Sequence, residues 1–170
     1  MTKLYHRVPD NMVGYALYPL SKLKDVYPKI YKNIEGKYEG KRRQKVKERT
    51  IPYLDCQWND VLHFTAVHPR RIKEALNTSK TLECYVIDPE QLTPNNTVVY
   101  LNNQSGEPTK ENYTTYDPDE VDQYAELPKA TKRYYKEMQS KDKRPLLFVN
   151  VPHILYKGNV DISDAKIVRA

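Results

Sequence analysis

Two histidine-bearing stretches hold the residues best suited to chemistry. LYHRV, residues 4 to 8, sets His6 beside Arg7. WNDVLHFTAVHP, residues 58 to 69, gathers Trp58, Asn59, Asp60, His63 and His68 in one turn-strand-turn segment. An imidazole changes charge near neutral pH, so it serves as a general acid or base. His6, His63 and His68, with Arg7 clamping a phosphate, would make a histidine-based nuclease that needs no metal. Each residue also has a plainer role. His6 and His63 fit as core histidines bonded to backbone, Trp58 as a core anchor, and Asn59 and Asp60 as a turn or cap before a strand. The sharper alternatives make Trp58 a ring platform and Asn59 and Asp60 ligand-orienting groups at a sheet edge.

Other chemistries lack a pattern. The four histidines, His6, His63, His68 and His153, include no pair at tight zinc-ligand spacing, and neither Cys56 nor Cys84 stands beside a second cysteine. No metal site is expected. Phosphate-loop, dinucleotide-glycine, zincin and nucleophile-elbow motifs do not occur. Cys56 could pair with His63 or His153, but thiol chemistry needs a lowered pKa and a close base. A half-buried structural cysteine is the plainer reading.

The elements that would position these residues alternate irregularly. KLYHRV reads as a strand with Leu4, His6 and Val8 on one face and Tyr5 and Arg7 on the other. A loop follows, with Gly14 free to take a backbone shape closed to other residues. Ser21 is expected to cap a helix holding Leu23, Val26 and Tyr27, and Pro28 to start another. NDVLHFTAV reads as a strand with Leu62, Phe64 and Ala66 opposite Val61, His63, Thr65 and Val67. Pro69 opens a short helix, RRIKEAL. Strands follow at 81–89 and 96–103, with Asp88 capping a turn between them. Asp117 starts a helix in DPDEVDQYAEL, and KATKRYYKEMQS makes another. RPLLFVNV reads as a buried strand. HILYKGNV and AKIVR supply two more strands, with Gly158-Asn159 as a tight bend. Helices are not inserted regularly between strands, so the expected class is α+β, with a mixed or antiparallel sheet and peripheral helices, in one domain over 1–170.

Two segments stand out by charge. Residues 1–50 carry 13 Lys or Arg against 5 acidic residues, while the rest carries 15 against 17. The basic excess falls in a helical insertion near 21–50, where residues 37–49 present Lys41, Arg42, Arg43, Lys45 and Lys47 to a nucleic acid or other polyanion. The region 104–126 is an acidic loop and helix. No apolar run approaches a membrane span, and the polar start MTKLYHRVPD lacks the apolar core of a secretory leader. With two cysteines and no disulfide framework, a cytoplasmic setting is expected. Fifteen tyrosines against two phenylalanines imply many half-buried rings with their hydroxyls at the core's edge.

LYHRV, a helical insertion and then DVLHFTAVHPRRI resemble ADP-ribosyltransferases of the DNA-modifying toxin type. The likeness is best over residues 3–8 and 60–72 and looser over 82–101. It implies a split sheet enclosing a cleft for nicotinamide adenine dinucleotide (NAD), the donor for modifying a nucleic acid or protein. His6 then matches the early strand histidine that bonds the cofactor's ribose or nicotinamide side, and Arg7 beside it is the expected phosphate contact. Tyr18 or Trp58 would pack on a ring, and His63 would share the cleft. The family's late glutamate has no counterpart on a late strand here. Asp161 is the nearest strand-associated acid, since Glu137 falls in an expected helix. A non-catalytic nucleic-acid-binding or interaction protein is the competing reading.

Overall fold

The computed structural model describes residues 1–35, 46–101 and 108–170. In chain order the strands are β1 (Leu4–Arg7), β2 (Ala16–Leu17), β3 (Thr50–Ile51), β4 (Cys56–Gln57), β5 (Leu62–Phe64), β6 (Glu83–Ile87), β7 (Thr97–Tyr100), β8 (Tyr113–Thr115), β9 (His153–Tyr156), β10 (Val160–Asp161) and β11 (Lys166–Arg169). The helices are α1 (Leu20–Val26), α2 (Pro28–Glu35), α3 (Pro69–Leu76) and α4 (Lys129–Ser140). The fold is α+β, with every strand pairing antiparallel among the described residues and the helices peripheral.

Two sheets dominate. One has the order β1-β6-β11 and the other β5-β9-β7-β8. Among the described residues they touch edge to edge at one bridge, Tyr5 to Thr65, made of two backbone hydrogen bonds of 2.8 and 3.1 Å. Past this bridge β1 and β5 separate, so the sheet is split.

Strand alternation then sorts the side chains. Leu4 joins Leu62, Phe64 and Ile154 in one cluster, and Tyr5 joins Val67 and Ile72 in a second. Trp58, Val61, Val98, Tyr100 and Leu155 form a third on the other face of the larger sheet. Burying each large apolar side chain contributes about 1.5–3 kcal/mol.

Several local expectations hold. Pro69 begins α3, with the His68 ring accepting from the Arg70 N–H, and Asn77 closes the helix in a left-handed conformation. Asp88 and Gln91 complete a reciprocal capping box. Gly14 has φ +79°, a conformation that favours glycine, and a Cβ there would lie 1.9 Å from the Tyr27 hydroxyl and push that ring aside.

Others are corrected. Pro19, not Ser21, stands at the start of α1. DPDEVDQYAEL forms a 3-10 helix over Pro118–Tyr124, capped by Asp117 onto the Asp119 N–H. Gly158-Asn159 makes no hairpin, because β9 pairs with β5 and β7 while β10 crosses to β2.

RPLLFVNV is not a strand. Side chains of α4 take its backbone groups: Tyr135 donates to the Leu147 carbonyl, Thr131 to the Val149 carbonyl at 2.9 Å, and the Leu146 N–H donates to the Tyr134 hydroxyl at 3.1 Å. Pro145 lacks a donor, and Asn150 sits at φ 63°. Anchoring irregular backbone is thus one use of the tyrosine excess. Tyr116 does the same, donating to the Pro89 carbonyl at 2.7 Å.

Tyr113 is the exception, since its buried hydroxyl has no partner. Tyr135→Phe should therefore cost about 1 kcal/mol, while Tyr113→Phe should leave stability unchanged or raise it by about 1 kcal/mol. Urea unfolding midpoints of the two variants against the parent chain check this contrast.

Candidate ligand cavity between the two sheets

The gap beyond the Tyr5–Thr65 bridge is the centre of interest. Pairing stops there, so His6 on β1 and His63 on β5 both reach a space that no strand fills. They line one cavity together with Tyr18, Trp58, Asn59 and Leu62, under a roof from α1 and α2 that includes Leu23 and Ile30. Helix α1 meets the Trp58–Asp60 turn and packs against α2, and Leu23 and Ile30 are buried. Tyr18 and Tyr27 sit edge to face at the rim, with centroids 5.8 Å apart.

The cavity volume is about 100 Å³. An engineered apolar cavity of about 150 Å³ admits benzene. The enclosed part therefore seats one edge of a flat ring, and anything larger extends past the rim.

Trp58 and Asn59 are set by a short 3-10 turn, Trp58–Asp60, rather than by the start of a longer strand. Asp60 accepts from the Gln57 N–H at 2.9 Å, and the Gln57 side chain accepts from the Asp60 N–H. The turn reading of Asn59 and Asp60 is thus realised, yet it leaves one polar atom unaccounted for. The Asn59 Oδ1 is buried without a hydrogen-bond donor. A buried unpaired acceptor costs about 1–3 kcal/mol.

His63 and His153 are held neutral. His63 Nε2 lies 3.2 Å from the Trp58 carbonyl, and His153 Nε2 lies 3.1 Å from the Phe148 carbonyl. A carbonyl only accepts, so each Nε2 carries the proton. The rings of His63 and His153 are 5.9 Å apart, and both contact Trp58, at 4.6 and 5.8 Å. Burial pushes the His63 pKa down to about 3, with His153 nearby adding to the effect, and burial pushes His153 to about 4. His6 lies 2.7 Å through Nδ1 from the Arg7 carbonyl and packs edge-on against Phe64 at 5.4 Å.

The other sequence-derived candidates lie elsewhere. Arg7 does not line the cavity. It sits one residue on from His6, so alternation turns it to the opposite face, beside its register partner Cys84. Asp161 is exposed on β10, where its carboxylate accepts from the Ser163 N–H at 2.8 Å, and it stays outside the cavity. That contact holds its pKa below the usual range. His68 caps α3 and borders a separate hollow of about 460 Å³ with Tyr5, Lys3 and Arg71. His6, His63 and His68 therefore do not form one acid-base set.

Lys41, Arg42, Arg43 and Lys45 lie outside the described residues. Lys47, expected on a solvated basic face, is instead only 9% exposed, because the turn at 46–47 packs by Val46 against the cluster of Ile51, Leu54 and Trp58. Neither cysteine is primed as a nucleophile, since burial raises Cys56 to about 11 and Cys84 to about 12.

Sequence reasoning left Asn59 as a turn residue or edge group and gave His153 no place in the site. The clue to His153 was its position in an apolar strand, HILY, matching His63 in LHF. Arg49 was also passed over, although its guanidinium lies 5.8 Å from the Trp58 ring centroid. No family model, curated protein or solved structure matches this chain.

The neutral imidazoles set a pH dependence. Unfolded histidine titrates near 6.5, while in the fold His63 and His153 do so near 3 and 4. The unfolded chain thus binds protons first as pH falls. Their contribution is full above about pH 6.5 and is lost between there and about 3–4, at about 1.4 kcal/mol per pH unit for each ring. His153→Gln keeps a donor for the Phe148 carbonyl but cannot titrate. Unfolding free energies between pH 7 and 4.5 should fall less steeply in this variant than in the parent chain, by about that amount.

Proposed function

We propose that this chain is an ADP-ribosyltransferase-like enzyme that binds NAD with its nicotinamide ring in the cavity between the two sheets. One observation carries the reading. His6 and His63, from different half-sheets, line the same space, which takes one edge of a flat ring, beside Trp58 and Tyr18. The fit of the residues supports it. The walls are flat and mostly apolar, and a buried acceptor without a donor lies among them. Bound there, NAD supplies an ADP-ribosyl group with nicotinamide as leaving group.

The chain's own residues would bind and orient it. Trp58 and Tyr18 pack on the ring. His6, at the mouth where β1 parts from β5, takes the ribose or nicotinamide side. The roof from α1 and α2 keeps water off. Lys22, Lys24, Lys29 and Lys32 are exposed on these same two helices, which favours a polyanionic acceptor such as a nucleic acid. Two thiols without a disulfide fit a cytoplasmic setting.

A second reading rests on a specific feature. No carboxylate lines the cavity among the described residues, and Asp161 lies outside it. Stabilising positive charge at a ribose carbon needs such a group. That favours a ligand-binding module without turnover, whose cationic outer face holds a nucleic acid.

Incubation with NAD and mixed DNA, RNA and protein separates the two. The enzyme reading expects nicotinamide release and a mass gain on one polymer, both lowered at least tenfold by His6→Ala. NAD binding without release would assign the chain to the second reading. Failure of NAD to bind would end the first.

A further inference from the structure

We infer that Asn59 is the specificity residue of this cavity and that it accepts a hydrogen bond from an N–H on the bound ring, which is the carboxamide N–H when the ring is nicotinamide. The inference rests on the NAD reading for the identity of the ring. The need for a donor comes from the residue itself.

The backbone around Asn59 is already satisfied by local contacts. The Gln57–Asp60 box fixes both ends of the turn, and the Trp58 N–H donates to the Arg49 carbonyl at 2.8 Å. The Trp58 carbonyl takes the His63 ring. These groups are engaged where they stand, and they hold the turn that carries Asn59 in place. Its Oδ1 nevertheless lies buried and unpaired in a residue that lines the cavity.

The surroundings narrow the ligand. His63 spends its Nε2 proton on the Trp58 carbonyl, and although Tyr18, Tyr27 and Trp58 in the same lining carry donors, none of them pairs with the Asn59 oxygen. A flat ring entering beside Trp58 satisfies Asn59 only if it carries a hydrogen-bond donor at its edge, which on nicotinamide is the carboxamide N–H. A ring of the same shape without that donor leaves the oxygen as it is in the empty site. Sites that require a hydrogen bond from a ligand discriminate strongly against analogues that lack it, because the buried partner is left unpaired.

Trp58 is the chain's one tryptophan and stands in the cavity wall, so its fluorescence reports occupancy. The probes are nicotinamide and 3-acetylpyridine, which keeps the ring and carbonyl but replaces the amide nitrogen with a methyl group, each free and as the dinucleotide. They are titrated into the parent chain, Asn59→Leu and Asn59→Asp. The amide forms should bind at least tenfold more tightly than the acetyl forms in the parent chain. Asn59→Leu should abolish that preference, and Asn59→Asp, which retains an acceptor, should preserve it. With no ligand present, Asn59→Leu should melt no lower than the parent chain, since it removes an unpaired acceptor. That measurement separates lost recognition from lost folding.

Equal binding of amide and acetyl forms, or a preference unchanged in Asn59→Leu, overturns the role of Asn59 and leaves the NAD reading standing. Binding of neither dinucleotide overturns both.

Discussion

The structure depends on a single pair of hydrogen bonds. Tyr5 and Thr65 exchange N–H and C=O, and through them the two main sheets meet. Twisted sheets joined at one point diverge on either side of it. The diverging strands present unpaired edges, and exposed edges have to be covered. The helices α1 and α2 do this on the side of His6 and His63. The same cover that protects the edges encloses the cavity, so the site follows from how the sheets are joined.

Polarity in and around that space is economical. Two imidazoles on adjacent strands, His63 and His153, each reach back five residues to a carbonyl at the foot of their own strand. This fixes their tautomers and presents Trp58 with neutral neighbours. Charge is kept outside, on the lysines of the covering helices and on the exposed Asp161. An uncharged lining with one unsatisfied oxygen favours a flat, neutral, hydrogen-bonding group over an anion. The phosphates of a larger ligand would stay near the rim.

Alternation of side chains was readable from sequence wherever a strand is bounded by clear punctuation. Leu4 and His6 against Tyr5, and Leu62 and Phe64 against His63, sort as their spacing implies, because period two is fixed by strand geometry. Pro69 and Asp88 announced their turns for a comparably local reason. RPLLFVNV misled because its apolar run resembles a strand. Thr131, Tyr134 and Tyr135, more than ten residues away in sequence, decide otherwise by binding its backbone. Arg7 was a candidate because it follows His6, and Asp161 because it is the nearest acid on a late strand, whereas the opposite face of β1 and the pairing of β10 with β2 separate them from the histidines. Asn59 was visible only as a turn former. A missing partner is a property of three-dimensional surroundings and leaves no mark on spacing.

The order of strands in the two sheets bears on how the chain acquires its shape. In the larger sheet β9 lies between β5 and β7, although it follows both in sequence. Residues 62–64 and 97–100 thus have no means of completing their ladder until residues 153–156 arrive between them. Pairings so distant along the chain are closed late and slowly. During synthesis most of the polypeptide would leave the ribosome with β5 and β7 unzipped, a period in which their apolar edges are open to chaperones and to one another.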